Sequence, residues 1–172
     1  MSMSEKILFD FLDAHNIAYK LFKHQPVFTV EDKPVLIDSD VDTIPGLQSK
    51  SLFLKDKKDG SLFLVSVTED KRVDLKAFGD VVGGRRFSFA KPEELLEVLK
   101  LQPGSVTPFG LIFDQHNKVS FVLDEDFLTT TFVNFHPLRN DMTIGLTPQV
   151  FVTAMEKLGH SPLVIRIPVR EM

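Results

Sequence analysis

One segment near the middle of the chain, SLFLKDKKDGSLFLVSV, limits the folds that this sequence can adopt. Two apolar runs, Ser51–Leu54 and Ser61–Val67, flank a polar turn that ends in Asp59-Gly60. Strand-like runs on both sides of an Asp-Gly turn predict an antiparallel β-hairpin. This hairpin is the clearest local structure that the sequence predicts.

The other elements alternate between strands and helices. The runs FGLIFD and VSFVLD flank the turn Gln115–Lys118 and predict a second hairpin. Helical patterns occur at the N-terminus, in KPEELLEVLK, and in TPQVFVTAMEKLGH, where Thr147 is the expected cap and Gly159 the stop. A short helix is also expected from Thr29, and further strands in AYKLFKH, TFVNF and SPLVIRIP. We find no repeat or linker, and predict a single α+β domain over residues 1–172 with a curved, barrel-like mixed sheet and surrounding helices.

Composition excludes several classes of protein. With 172 residues, 43% hydrophobic and 26% charged, the chain has ordinary globular composition. A net charge of −4 argues against extensive binding along nucleic acid, although contact with one nucleic-acid end is compatible with it. The N-terminal segment lacks the continuous apolar core of a signal peptide, and no stretch has membrane-spanning length. We therefore expect no membrane partner and a cytoplasmic location.

The chemistry available to the chain is also restricted. The sequence has no cysteine, which removes thiolate nucleophiles, thiolate metal ligands and disulfides. Its five histidines are scattered, and the calcium-loop-like run DSDVD lacks the glycine and the closing glutamate that a calcium loop requires. No GxSxG elbow occurs. We expect no metal and no cofactor, and most of the 16 phenylalanines are expected to fill the core while a few line a pocket.

Three segments remain as candidates for a site. Lys50 precedes a strong strand and follows a turn with Gly46, so it could offer a cation to phosphate or carboxylate; a solvated strand-end lysine is the alternative. In QPGSVTPFG, Gly104 and Pro108 bracket three small residues, and such a loop can present backbone N–H groups to an oxyanion; a plain helix-to-strand connection is the alternative.

The third segment is VNFHPLRNDMT. Proline after His136 biases that residue towards an extended backbone, and Asn134, Asn140, Asp141 and Thr143 supply nearby hydrogen-bonding groups. The histidine could thus be held stiffly at a pocket. The alternative is an exposed turn histidine.

Taken in order, HQPVFTVED, KSLFLKDKKDG, RRFSFAKPEELLEVL, QPGSVTPFGLIFD and VNFHPLRNDMT resemble the YbaK/ProX family of aminoacyl-tRNA deacylases, relatives of the editing domain of prolyl-tRNA synthetase. The resemblance covers most of the chain and implies one editing domain over residues 1–172. The alanyl-tRNA(Pro) branch is the most similar in its GSVTPF loop and its FHPLxNxxT segment. Two departures stand out: Ser51 replaces the usual asparagine, and residues 33–45 differ from the usual helical stretch.

The resemblance implies a set of site residues. Catalytic roles are implied for Lys50, Gly104 and His136. Substrate-binding roles are implied for Phe28, Thr29, Ser51, Ser105, Val106, Thr107, Pro108, Asn134 and Asn140.

The implied function is hydrolysis of the ester that joins a wrong amino acid to the 3′ end of tRNA. Such an ester is activated, so that positioning and backbone oxyanion stabilisation could suffice without a covalent nucleophile. The implied partner is the acceptor end of aminoacylated tRNA(Pro), with prolyl-tRNA synthetase as a further candidate. Two alternatives stay open, a Cys-tRNA(Pro) deacylase and a non-catalytic module that binds an amino acid or an RNA end.

Overall fold

The central hairpin forms as predicted, but its first strand begins earlier than expected, at Leu47, so that Lys50 lies within the strand and not before it. In a computed structural model, which describes residues 2–28 and 32–170, strands β2 (Leu47–Asp56) and β3 (Leu62–Thr68) pair antiparallel. Gly60 adopts a φ of +78°, the left-handed conformation that the turn requires and that glycine tolerates. The N–H of Asp56 donates to the carbonyl oxygen of Ser61 over 2.8 Å, which closes the hairpin.

The other strands of the described chain are short. They are β1 (Lys20–Lys23), β4 (Phe87–Phe89), β5 (Val119–Asp124), β6 (Val133–Phe135), β7 (Met142–Leu146) and β8 (Leu163–Ile165). The α-helices are α1 (Met3–Ala14), α2 (Leu75–Val81), α3 (Pro92–Leu99) and α4 (Pro148–Lys157). None of the helices in the described ranges is long and apolar enough to cross a membrane.

The strands form one mixed sheet in the order β1-β7-β6-β2-β3-β5-β8, with β4 paired to β2. Three of the pairings are parallel, namely β2 with β6, β3 with β5, and β5 with β8. The predicted α+β class and mixed sheet are confirmed. Strands β1 and β8 end the order, so the sheet is open and not a closed barrel.

Strand β2 has an interruption along one edge. Its other edge pairs continuously with β3, but on this edge β6 pairs only at Leu47 and Gln48, and β4 only from Leu54 to Asp56. Among the described strands, none pairs with Ser49–Phe53 on this edge. We call this interval the β2 gap.

Phenylalanines fill much of the core, as the composition predicted. Phe78, Phe109, Phe127, Phe135 and Phe151 are each less than 2% exposed. The rings of Phe135 and Phe151 stack with centroids 4.3 Å apart, so α4 is fixed against β6. This packing anchors the strand from which His136 emerges.

The predicted second hairpin is wrong. Residues Pro108–Phe113 form a 3₁₀ helix, and β5 pairs in parallel with β3 instead. Pro108 lacks the N–H that a ladder needs, and the hydroxyl of Thr107 accepts from the N–H of Phe109 to cap the helix. A short apolar run does not distinguish a buried helix from a buried strand, which explains the error.

Candidate active site

A pocket of about 200 Å³ lies at the β2 gap. Its wall includes Lys50 and Ser51 from β2, Gly104 and Val106 from the loop after α3, and His136 after β6. The structure therefore brings together the three segments that the sequence nominated. They are separated by more than thirty residues along the chain, and the interruption in the sheet is what lets them meet.

Backbone groups of β2 face this pocket. The carbonyl oxygen of Phe53 accepts from the N–H of Ala90 over 2.9 Å on the β4 side. Because successive residues of a strand direct their N–H and C=O groups to opposite edges, those of Ser51 and Ser49 face the same side as those of Phe53. The main-chain N–H and C=O of Ser51 therefore face the β2 gap between the two paired ends, and neither β6 nor β4 pairs with this residue.

The side chains of the two serines are engaged elsewhere. The hydroxyl of Ser49 donates to the carbonyl oxygen of Asn134 over 2.6 Å, and the hydroxyl of Ser51 lies 2.7 Å from that of Ser66 on β3. Neither hydroxyl is hydrogen-bonded to a histidine among the described residues. Ser51 thus makes a cross-strand pair with Ser66, its direct register partner.

His136 is held in one orientation. Its Nδ1 lies 2.9 Å from the carbonyl oxygen of Met142, and because a carbonyl can only accept, Nδ1 carries the proton. Burial holds the pKa of His136 below its ordinary value of 6.5, the nearby His24 ring lowers it further, and the Met142 contact opposes the shift. The ring is therefore neutral at physiological pH, with Nε2 as a hydrogen-bond acceptor.

The loop after α3 is a tight turn. The N–H of Ser105 donates to the carbonyl oxygen of Gln102 over 3.1 Å, and Gly104 has a φ of +91°. A residue with positive φ at the third position, usually glycine, is the requirement of a type II turn, and proline is common at its second position. The Ser105 N–H is thus used within the turn, which leaves the N–H groups of Gly104 and Val106 as the loop's candidates for an oxyanion.

Comparison with known proteins agrees with this geometry. The sequence profile of the aminoacyl-tRNA editing domain matches residues 24–154, which contain every candidate residue named above. This chain belongs to the aminoacyl-tRNA editing domain family. It is 42% identical over 147 residues to prolyl-tRNA synthetase associated domain-containing protein 1 of Xenopus laevis, covering 83% of this chain and 84% of the relative.

Two further relatives extend the comparison. The prolyl-tRNA editing protein ProX of Acetoanaerobium sticklandii is 36% identical over 136 residues, covering 79% of this chain and 80% of ProX. A solved structure, described as that of a candidate trans-editing enzyme for prolyl tRNA synthetase, superposes with a TM-score of 0.70. It is 23% identical and covers 100% of this chain and 99% of its own, so it shows that the editing-domain fold is shared.

Two candidate asparagines of this editing domain position the pocket rather than line it. Asn134 is 1% exposed, and its Nδ2 donates to the carbonyl oxygens of Pro45 (2.8 Å) and Leu47 (3.1 Å). It therefore fixes the bend that leads into β2. Asn140 donates from Nδ2 to the carbonyl oxygen of Val27 over 3.0 Å, which ties the rim segment to the loop after His136.

The other substrate-binding candidates divide between the pocket and its support. Phe28 lines the pocket with 73% of its surface exposed. Thr107 and Pro108 are buried beneath the loop, where they begin the 3₁₀ helix, and Ser105 does not line the pocket. Thr29, and with it the start of the short helix expected there, lies outside the described residues.

Sequence reasoning missed the acidic side of the pocket. Glu69 follows β3 directly and lines the wall beside β2, where its N–H donates to the carbonyl oxygen of Gln48 over 3.0 Å. Burial raises the pKa of Glu69, the Asp70 carboxylate adds to this, and Lys33 and Lys50 oppose it. Asp32 also lines the pocket. The register of the predicted hairpin was the available signal, because it places residue 69 across from residue 48.

His24 was also overlooked as a support for the site. It is 2% exposed, its Nδ1 donates to the carbonyl oxygen of Gln25, and its Nε2 lies 2.9 Å from the hydroxyl oxygen of Thr143. Its ring lies 6.2 Å from the ring of His136. Two close histidines disfavour a second positive charge, so His24 helps to keep His136 neutral.

Proposed function

We propose that this chain is a trans-editing hydrolase that deacylates mischarged tRNA, with alanyl-tRNA(Pro) as its substrate. The observation that carries the proposal is the meeting of Lys50, Gly104 and His136 in one small pocket at the β2 gap of an editing-family member. ProX is a prolyl-tRNA editing protein and the Xenopus laevis relative is a prolyl-tRNA synthetase associated protein, which supports tRNA(Pro) as the tRNA and the synthetase as a candidate partner.

Water is the nucleophile in this proposal. The chain has no cysteine, and the pocket serines are engaged with Asn134 and Ser66 and not with a base. Water adds to the ester carbonyl carbon, the bond to the ribose oxygen breaks, and that oxygen takes up the proton that water loses. The ester is activated, so holding it in the reactive geometry supplies much of the acceleration.

Stabilisation of the oxyanion falls to the main chain. The N–H groups that face the β2 gap and those of Gly104 and Val106 border the same pocket from two sides. Fixed amide dipoles in a partly buried site stabilise developing negative charge without reorganising during the reaction. This supports the role assigned to Gly104.

Lys50 and His136 orient the nucleic-acid end. We assign Lys50 to the terminal phosphate or ribose, as a positive charge at the start of the gap. We assign the Nε2 of His136 to a ribose hydroxyl, which donates to it, because the Nδ1 proton is already committed to Met142. His136 therefore acts as a neutral acceptor and not as an obligatory general base.

The acyl group is selected by size. A volume of about 200 Å³ shared with water and the ribose leaves room for a small side chain. Excluding extra methylenes from a tight apolar site supplies roughly 1–3 kcal/mol, so size alone gives modest discrimination against proline. Displacement of the prolyl ester from the oxyanion donors must supply the rest. Phe28 is the candidate wall on the apolar side.

The test is parallel hydrolysis of Ala-tRNA(Pro), Ser-tRNA(Pro), Cys-tRNA(Pro) and Pro-tRNA(Pro), followed as loss of labelled aminoacyl ester under single-turnover conditions. We expect the alanyl and seryl esters to be lost faster than the prolyl ester. Faster loss of Pro-tRNA(Pro) would refute editing, and preference for the cysteinyl ester would move the chain to the Cys-tRNA(Pro) alternative. Binding of all four without turnover would identify a non-catalytic module.

A further inference from the structure

A second cavity adjoins the pocket. Its volume is about 250 Å³, and it shares Ser51, Gly104 and Val106 with the pocket at the β2 gap. Beyond these three residues its wall is apolar, formed by side chains such as Leu52, Phe89 and Pro103. We call it the apolar cleft. No charged side chain is among its lining residues in the described chain, whereas the pocket is lined by Lys50 and Glu69 among others.

Phe89 is the most unusual residue of the apolar cleft. It ends β4 and leaves 62% of its surface exposed. Two residues earlier, Phe87 packs against Phe63 and Phe78 with ring centroids 5.0 and 5.3 Å apart. Phe89 thus adds an exposed aromatic face to the wall of a cavity that continues into the candidate active site.

The two cavities differ in the way that the two ends of an aminoacyl ester differ. The acyl end carries an ammonium group, and the pocket at the β2 gap offers the carboxylates of Asp32 and Glu69. The other end carries an uncharged, flat purine, and the cleft offers an aromatic face without charged neighbours. With the ester at the shared wall of Ser51, Gly104 and Val106, the acyl group and the base extend into different cavities.

The way in which proteins recognise single-stranded nucleic acid favours the same assignment. Bases stack on exposed aromatic side chains in many proteins that bind single-stranded nucleic acid, largely without regard to sequence. A stacked terminal base also suits an acidic protein, because this contact needs no phosphate-binding surface.

We propose that the apolar cleft binds the terminal adenine of the tRNA, stacked on Phe89. The inference rests on the proposed function and adds a subsite for the nucleic-acid end. Phe89 is thereby a binding residue whose loss weakens substrate affinity.

The kinetic test compares Phe89→Ala and Phe89→Tyr with the wild-type protein on two substrates, alanyl-tRNA(Pro) and alanine methyl ester, which lacks the adenine. Since base stacking changes affinity roughly 5- to 150-fold, we expect Phe89→Ala to raise KM for alanyl-tRNA(Pro) by that factor and Phe89→Tyr to leave it nearly unchanged. Hydrolysis of the methyl ester stays the same in all three. Leu163→Ala, which truncates another exposed apolar residue on β8, is the matched control.

A binding test keeps this inference separate from the proposed function. Adenosine 5′-monophosphate is titrated into the isotope-labelled protein, with amide signals as the readout. We expect shifts at Phe89, Ala90 and Gly104 in the wild-type protein, and their loss in Phe89→Ala. If the wild-type protein hydrolyses none of the esters, the proposed function fails, and this titration alone shows whether the apolar cleft binds adenine.

Three results would overturn the proposal. The first is an unchanged KM for alanyl-tRNA(Pro) in Phe89→Ala. The second is an equal loss on the methyl ester, which would mean that Phe89 shapes the reaction centre. The third is a set of nucleotide-induced shifts confined to surfaces away from the cleft.

Discussion

Replacing Gly104 with alanine separates the role of the loop in catalysis from its role in folding. Nothing lies within 4 Å of a Cβ built at Gly104, so alanine meets no steric obstacle there. The cost comes from its φ of +91°, which an L-residue adopts at about 1–2 kcal/mol. The turn must either hold with this strain or rotate, and rotation redirects the N–H groups that border the pocket.

Gly83 supplies a matched control. It has a φ of +105° and equally open space around a built Cβ, but it lies in the connection between α2 and β4 and does not line the pocket. We therefore expect Gly83→Ala and Gly104→Ala to lower the free energy of unfolding by similar amounts, about 1–2 kcal/mol each. Loss of one oxyanion donor lowers kcat by about 10²- to 10³-fold, and we expect this only in Gly104→Ala.

The assays are urea denaturation for stability and single-turnover hydrolysis of alanyl-tRNA(Pro) for catalysis. If Gly104→Ala is destabilised like Gly83→Ala but keeps the wild-type rate, the loop does not provide the oxyanion donors. In that case the main-chain groups of the β2 gap would have to act alone.

Three further changes test the remaining side chains. Lys50→Ala should lower deacylation sharply with little loss of stability, since a partly exposed lysine side chain adds little to folding, and Lys58→Ala in the hairpin turn is the control; a folded Lys50→Ala protein with full rate contradicts the role. His136→Gln should keep more activity than His136→Ala, and full activity in both would make it a turn residue. Burial lowers the pKa of His136 in the folded protein, so folding favours its neutral ring. The stability that this contributes is fully present above pH 6.5 and is lost as the pH falls through the pKa of the folded state. His136→Gln should reduce this loss in denaturation curves recorded across that pH range. The pKa of Glu69 is raised, so its contribution to stability is present below pH 4.5 and is lost as the pH rises through the pKa of the folded state. Glu69→Gln should therefore be more stable relative to the wild-type protein at pH 7 than it is at pH 4. Equal differences in stability at the two pH values would contradict this.

Local patterns made much of the fold predictable. The Asp-Gly turn fixed the β2–β3 hairpin, and Thr147 caps α4 by accepting from the N–H of Val150, as its position before Pro148 indicated. The run Phe109–Asp114 misled, because its apolar residues satisfy strand and buried-helix patterns equally, and Pro108 with Thr107 decided in favour of a 3₁₀ helix.

The pocket was less predictable than the residues that line it. Lys50, Gly104 and His136 follow from local features and from the family resemblance, but their meeting depends on where β6 and β4 leave β2. That depends on non-local pairing, which local propensity does not encode. Asn134 illustrates the limit, since its polar group suggested substrate binding and only its burial against Pro45 and Leu47 shows a positioning contact.

The β2 gap also bears on the behaviour of the protein at high concentration. Unsatisfied strand edges are sites at which other chains add strands and start aggregates. Here the unpaired interval is confined to Ser49–Phe53 and lies between two paired ends, at β6 and at β4. An approaching strand from another molecule would collide with both neighbours before it could form a ladder. The main-chain N–H and C=O groups of the β2 gap can therefore bind a ligand but cannot pair with a strand of another copy of the chain. Loss of β4 would remove this protection.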